Sequence, residues 1–226
     1  MAPTIVITGA TSGIGLATAR AFSASHQLVL IGRNAAALES LSAEFPEAVV
    51  LAADLTRSAD LEAIAGKVQQ ADVLVHSAGV LHMGTVEDSP AEAWSQSFEV
   101  NVVAPANLTR VLLPALRAAG GHVVMVNSGL GHRTIAGSGP YSASKHALRS
   151  LADALRQEEA PHGVRVTSIH PGRVSTPMQQ QLHAWEGRDY DAEQWVKPEQ
   201  VAQAIFEVVS LGRNAVIDTL NINPTA

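Results

Sequence analysis

The sequence predicts a doubly wound α/β fold on a parallel sheet of about seven strands. Short β-branched apolar runs alternate along the chain with longer stretches of helical period, the pattern of strands joined by crossover helices. The chemically distinctive residues Gly9, Arg33, Asp54, Gly79, Ser128 and Pro171 all fall at or just past the end of such a run. One sheet would thereby gather them at its carboxyl edge, where ligands bind in this class of fold.

The predicted strands are "TIVITG" (4–9), "QLVLIG" (27–32), "AVVLAAD" (48–54), "DVLVHSAG" (72–79), "HVVMVNS" (122–128), "VRVTSIHPG" (164–172) and "AVIDTLNI" (215–222). Each is rich in Val, Ile or Leu and short enough for a strand buried on both faces. Between them lie helical stretches with recognisable ends. "LATARAFSAS" follows the first glycine turn, and Ser89 with Glu92 reads as a capping box with Pro90 in the first turn. Pro198 and Gly212 bracket a last helix, "PEQVAQAIFEVVSLG". The one irregular region is residues 175–197.

At 226 residues and 46% hydrophobic content, the chain suits one sizeable core, and the expectation is a single domain over residues 1–226. A net charge of −6 gives no basic footprint for nucleic acid or an anionic membrane. The absence of cysteine removes disulfides, thiolate metal sites and a cysteine nucleophile. The nine histidines show no His-x-x-x-His pair, so no metal site is expected. With no basic-then-apolar leader and no run of spanning length, a cytoplasmic location is the expectation.

The first strand enters "TGATSGIG", residues 8–15, and then a helix. Gly9, Gly13 and Gly15 permit a tight turn, close approach of backbone to a pyrophosphate, and close packing of helix on strand. The helix N-terminus adds free N–H groups and a positive dipole. Thr11, Ser12 and Ile14 complete this cradle. The spacing is Gly-x-x-x-Gly-x-Gly, so the commoner dinucleotide fingerprint is not met literally.

Here the chain resembles the short-chain dehydrogenase/reductase family, whose first turn is usually Thr-Gly-x-x-x-Gly-Ile-Gly, and its motifs follow in order from Thr4 to about Pro177. The resemblance implies that Asp54, with Leu55 beside it, contacts an adenine, and that Ala78 and Gly79 of "HSAG" approach the cofactor by their backbone. His76 and Ser77 depart from the family's Asn-Asn, and His76 reads as a satisfied strand-end histidine. Pro171, Gly172 and Thr176 are implied nicotinamide contacts.

An NAD site usually places an acid about 20 residues after the glycine turn, to take the ribose 2′-hydroxyl. Here the second strand ends in Gly32-Arg33-Asn34. A carboxylate would repel a 2′-phosphate, whereas Arg33 can pair with one, which favours NADP(H) over NAD. The plainer alternative is a solvated loop arginine.

Tyr141 and Lys145 lie four residues apart on a predicted helix, hence on one side of it. Ser128 precedes Tyr141 by thirteen positions. By resemblance Asn101, Ser128, Tyr141 and Lys145 are the catalytic set, with Tyr141 and Lys145 also touching the cofactor. A phenol can protonate a developing alkoxide, or accept the proton in reverse. A cation about 5 Å away at an effective dielectric of about 20 is worth about 3 kcal/mol, enough to pull a tyrosine down by about 2 pH units before desolvation opposes it. Ser128 would hold the substrate oxygen; its alternative is a strand-end cap. Pro105 lacks the N–H that the carbonyl of Asn101 would bond in a helix, leaving that carbonyl for a relay water or marking a simple kink.

Residues 175–197 correspond by resemblance to a mobile substrate lid, and carry Met178, Leu182, Trp185, Tyr190 and Trp195, which equally suit plain core. The sequence closes on "NINPTA" without the family's common glycine-rich tail, which counts against a tetramer closed by tails, and the resemblance implies a homodimer through the helices carrying Asn101 and Tyr141. The expected activity is hydride transfer between NADPH and a carbonyl or alcohol substrate. The alternative is a dinucleotide sensor on the same fold with little turnover.

Overall fold

Strand alternation decides the layering. In β1 (Thr4–Thr8) Ile5 and Ile7 face one way and Val6 the other, and all three are fully buried. A strand apolar on both sides needs helices on both sides. The computed structural model, which describes residues 2–225, supplies them. The remaining strands are β2 (Gln27–Gly32), β3 (Val49–Ala52), β4 (Val73–His76), β5 (His122–Val126), β6 (Arg165–Pro171) and β7 (Thr219–Ile222). They form one sheet in the order β3-β2-β1-β4-β5-β6-β7, parallel at every pair.

The helices are α1 (Gly13–Phe22), α2 (Ala35–Glu44), α3 (Ser58–Lys67), α4 (Ala91–Phe98), α5 (Ala104–Ala119), α6 (Gly139–Glu159), α7 (Pro177–Glu186) and α8 (Pro198–Ser210). On one face Leu61 and Ile64 of α3, Leu108 and Leu112 of α5 and Leu148 of α6 pack with Val6, Leu74, Val123 and Met125. On the other, Phe22 of α1, Leu38 of α2 and Ile205 of α8 pack with Ile5, Ile7, Val75 and Val124. Arg117 on α5 pairs with the buried Glu159 on α6 through two hydrogen bonds of 2.8 and 2.7 Å. That pair fixes the helix bearing Tyr141 against its neighbour.

Strand order reverses between β1 and β4, which opens a crevice at their carboxyl ends. Gly9, Arg33, Asp54, Gly79 and Ser128 follow within three residues of a strand end, and Pro171 is the last residue of β6. Among the described residues no helix is long and apolar enough to cross a membrane.

Three local expectations are corrected. The Ser89 and Glu92 capping box does not form. Helix α4 begins after Pro90, which caps it without a side-chain bond, while Thr85 and Asp88 close the preceding turn through bonds of 2.6 and 3.1 Å. Ser89 instead lies against Gly84, where a Cβ would come within 2.6 Å of its hydroxyl. The last strand begins at Thr219 rather than at 215: the ladder with β6 runs only from Ser168 to Pro171, and before it the Thr167 side-chain hydroxyl donates to the carbonyl of Ile217 at 2.7 Å. His76 is only half satisfied: Nε2 meets Thr109 Oγ1 at 2.8 Å, while the buried Nδ1 has no partner.

Candidate active site

The turn after β1 is held by contacts that exclude side chains. Gly9 has φ +65°, and a Cβ on it would lie 2.8 Å from the backbone of Ala78. A Cβ on Gly15 would lie 2.3 Å from the carbonyl oxygen of Gly9. Thr8 ties the turn to the neighbouring loop by accepting at Oγ1 from the amides of Ser77 (3.1 Å) and Ala78 (3.2 Å). Ser12 occupies the N-cap of α1 without a side-chain cap bond. The first-turn amides of α1 therefore face the crevice uncapped by a side chain, a ready site for an anion.

A cavity of about 500 Å³ runs along the crevice. Of the residues expected from sequence to hold cofactor or do chemistry, it is lined by Gly9, Thr11, Ser12, Gly13, Ile14, Arg33, Asp54, Leu55, Ala78, Gly79, Ser128, Tyr141, Lys145, Pro171, Gly172 and Thr176. Gly15 and Asn101 stand behind the wall. Gly15 lets α1 sit on the turn. The Asn101 carboxamide accepts from the amide of Val80 (2.9 Å) and donates to its carbonyl (3.0 Å) and to Ser144 Oγ (3.0 Å). Asn101 lies in a π-helical turn, Glu99–Val103, just before Pro105. The helix irregularity is where the sequence places it, but the side chain of Asn101 has a clamping job that the sequence does not reveal.

At one end of the cavity Arg33 follows β2. The neighbouring Asn34 side chain caps α2 by accepting from the amide of Ala37 at 3.0 Å, so it is already engaged. Asp54 is engaged too, accepting from Thr56 N (3.0 Å) and Oγ1 (2.8 Å), which together hold its carboxyl below the usual value. Arg33 makes no ion pair among the described residues.

At the other end lie Ser128, Tyr141 and Lys145. Ser128 Oγ accepts from the amide of Leu130 at 3.1 Å, capping a short 3₁₀ turn, Gly129–Gly131. Tyr141 and Lys145 are buried on α6, with Lys145 Nζ 5.8 Å from the tyrosine ring centre and bonded to the carbonyl of Val126 at 3.1 Å. Burial brings Lys145 down to about 8. Burial also pushes the Tyr141 phenol above its usual value, and the nearby Ser128 hydroxyl opposes this less strongly. The expectation that the lysine pulls the phenol down is thus reversed in this pocket: taking the phenolate out of water dominates.

The 175–197 segment has two sides. Met178 and Leu182, one turn apart on α7, line the cavity. Trp195 lies under the Arg173 guanidinium and against His183, which also meets Tyr190. Trp185 remains half exposed and touches Gly137. The segment is closed at its neck, where Val174 bridges Val196: Ser175 N donates to Val196 O (2.8 Å) and Val196 N to Arg173 O (3.2 Å). Arg173 itself pairs with Glu186. Sequence reasoning passed over Asn127, Arg133, Arg173 and Gln179 as cavity residues. Asn127 and Arg173 carried the signal used for the others, since each follows a strand by one or two residues.

Residues 3–187 match the family described as short chain dehydrogenase. The chain is 34% identical over 234 aligned positions to dehydrogenase/reductase SDR family member 7B of Mus musculus, covering 95% of this chain and 72% of that protein. It is similar to the solved alcohol dehydrogenase of the archaeon Thermococcus sibiricus complexed with 5-hydroxy-NADP, at 25% identity and TM-score 0.90, covering 99% of this chain and 97% of that one. It is also similar to actinorhodin polyketide ketoreductase with NADPH, at 26% identity and TM-score 0.91 over 98% and 95% of the two chains. A glycine turn at the switch point, a serine, tyrosine and lysine on one cavity, and a match over most of the chain agree: this protein belongs to the short-chain dehydrogenase/reductase family of oxidoreductases.

Proposed function

We propose that the protein transfers hydride between NADPH and a carbonyl or alcohol substrate, with Tyr141 as the acid and base. The observation that carries this reading is that one continuous cavity is lined at one end by the glycine turn and Arg33 and at the other by Ser128, Tyr141 and Lys145. NADPH, when bound, supplies the hydride. The positions where a Cβ would strike backbone, and the uncapped first turn of α1, fit its pyrophosphate. Arg33, with no acid at the end of β2, fits a 2′-phosphate, and the NADP-bound relatives support that choice.

Ser128 holds the substrate oxygen through its hydroxyl, and Tyr141 gives that oxygen a proton in reduction or takes it in oxidation. Tyr141 is protonated at neutral pH and so placed to donate, while burial makes its phenolate the costly state. The ammonium of Lys145 stabilises the phenolate as it forms. Asn101 holds the loop carrying Gly79 against α6 and supports a water relay toward the lysine. Met178 and Leu182, in the role of a lid, exclude water from above. The setting is a single-domain, cytoplasmic homodimer, joined through α4, α5 and α6; the partly exposed Phe98 and Val103 lie in that region.

The test is equilibrium binding of NADPH and NADH, followed by reduction of the flat dicarbonyl 9,10-phenanthrenequinone. NADPH should bind more tightly, and Tyr141→Phe should keep that binding while losing at least about 100-fold in kcat. Full turnover by the phenylalanine variant would overturn the acid/base assignment. Failure to bind either nucleotide would overturn the whole reading.

A further inference from the structure

β5 and β6 lose their regular pairing at the point where the chemistry begins. Asn127 N donates to Ile169 O at 2.7 Å. In this register the next rung would run from the N–H of residue 171 to the carbonyl of Asn127, and residue 171 is a proline without an N–H. The two segments would be free to part there, directly beside Ser128.

A side chain bridges the gap. His170 is fully buried, its Nδ1 lies 2.9 Å from the carbonyl oxygen of Ser128 and its Nε2 lies 2.9 Å from Ser168 Oγ. A carbonyl oxygen only accepts, so Nδ1 carries the proton. Burial brings His170 down to about 4, so the ring is neutral and Nε2 accepts from the Ser168 hydroxyl. The ring also stacks on His132 at 3.8 Å between centres and 29° between planes. His132 ends the 3₁₀ turn that Ser128 begins. His170 thus grips both ends of that turn, from the residue just before Pro171.

We infer that His170 is a positioning residue that fixes the backbone of Ser128, and through it the hydroxyl that orients the substrate oxygen. This rests on the proposed role of Ser128. A loop free to shift by even a fraction of an ångström would lose orientation at the reacting oxygen while leaving the nucleotide cradle untouched.

The experiment uses the full-length protein and three readouts: NADPH dissociation constant, kcat for 9,10-phenanthrenequinone, and the ¹⁵N shifts of the His170 ring in the wild type. The ring should report the Nδ1–H tautomer; an Nε2–H tautomer would overturn the inference. His170→Leu removes the donor and should lower kcat by about 10- to 100-fold, with NADPH affinity within about twofold. His170→Asn places an amide N–H near the position of Nδ1 and should restore kcat to within about threefold of wild type. Where the leucine variant fails to fold, Ser168→Ala serves instead: it removes the donor to Nε2 and should lower kcat by a smaller factor at unchanged NADPH affinity. Unchanged kcat in His170→Leu, or an equal fall in the Asn and Leu variants, overturns the inference. Ser128→Ala separates the two levels. Unchanged kcat there overturns the role of Ser128 and this inference with it, whereas a fall in Ser128→Ala without one in His170→Leu overturns His170 alone.

Discussion

Lys145 donates through Nζ to the carbonyl of Val126 at 3.1 Å, so the buried ammonium is anchored to the last residue of β5 and not to a carboxylate. A buried cation satisfied by a neutral carbonyl is held at a cost. Its folded value of about 8, against 10.5 when exposed, corresponds to about 3 kcal/mol of stability forgone at neutral pH. The sign is fixed by the depression: below about pH 8 both states carry the proton and the cost is full. Between about 8 and 10.5 the folded state sheds the proton first, and the cost fades. Lys145→Met should therefore melt higher than wild type at pH 7, and the gap should narrow as pH rises to 10, read by thermal or urea unfolding. A wild type more stable than the variant at pH 7 would contradict the account.

Arg33 should decide between the two nicotinamide nucleotides. Arg33→Ser removes the cation at the end of β2, which makes no ion pair among the described residues, while Asn34 and Asp54 stay engaged with Ala37 and Thr56. A charge-assisted contact of about 1.5–3 kcal/mol predicts a loss of NADPH affinity of about 10- to 100-fold, with NADH affinity nearly unchanged. Equal weakening of both nucleotides would assign Arg33 to the adenosine or to the fold.

Two glycines make an internal contrast. Gly15→Ala drives a Cβ to 2.3 Å from the carbonyl of Gly9, and backbone on both sides cannot yield without opening the turn. NADPH binding should fall by more than about tenfold and the melting temperature should drop by several degrees. Gly66, in α3, meets nothing within 4 Å of a Cβ. Gly66→Ala should instead stabilise by about 0.4–1 kcal/mol with NADPH binding unchanged. Similar behaviour of the two in thermal unfolding would remove the steric account of the turn.

The sheet was legible because short continuous apolar runs and strand-end punctuation are local signals. Gly9, Arg33, Asp54 and Ser128 could be placed on one edge without any knowledge of tertiary contacts. Tyr141 and Lys145 were legible as a pair because helical spacing alone sets them together. The clamp made by the Asn101 side chain was not, since its partners Val80 and Ser144 lie 21 and 43 residues away. His170 was passed over for the same reason: its bond to the Ser128 carbonyl spans 42 positions, and a histidine before a proline gives no local hint of it. The net direction for the Tyr141 phenol is not legible, because charge spacing can be read from sequence while depth of burial cannot. The Ser89 capping box failed where a neighbouring Thr85–Asp88 turn offered the chain a competing set of bonds.

The bridge between Val174 and Val196 gives the loop it closes the character of a cassette. Its two ends meet across one pair of residues, so the intervening helix can be transplanted from a relative at those seams without moving Pro171, Gly172 or α8. Grafting between Val174 and Val196 changes the cavity residues Met178 and Leu182, and a donor loop that keeps threonine at position 176, beside Gly13, leaves the dinucleotide half of the crevice as it is.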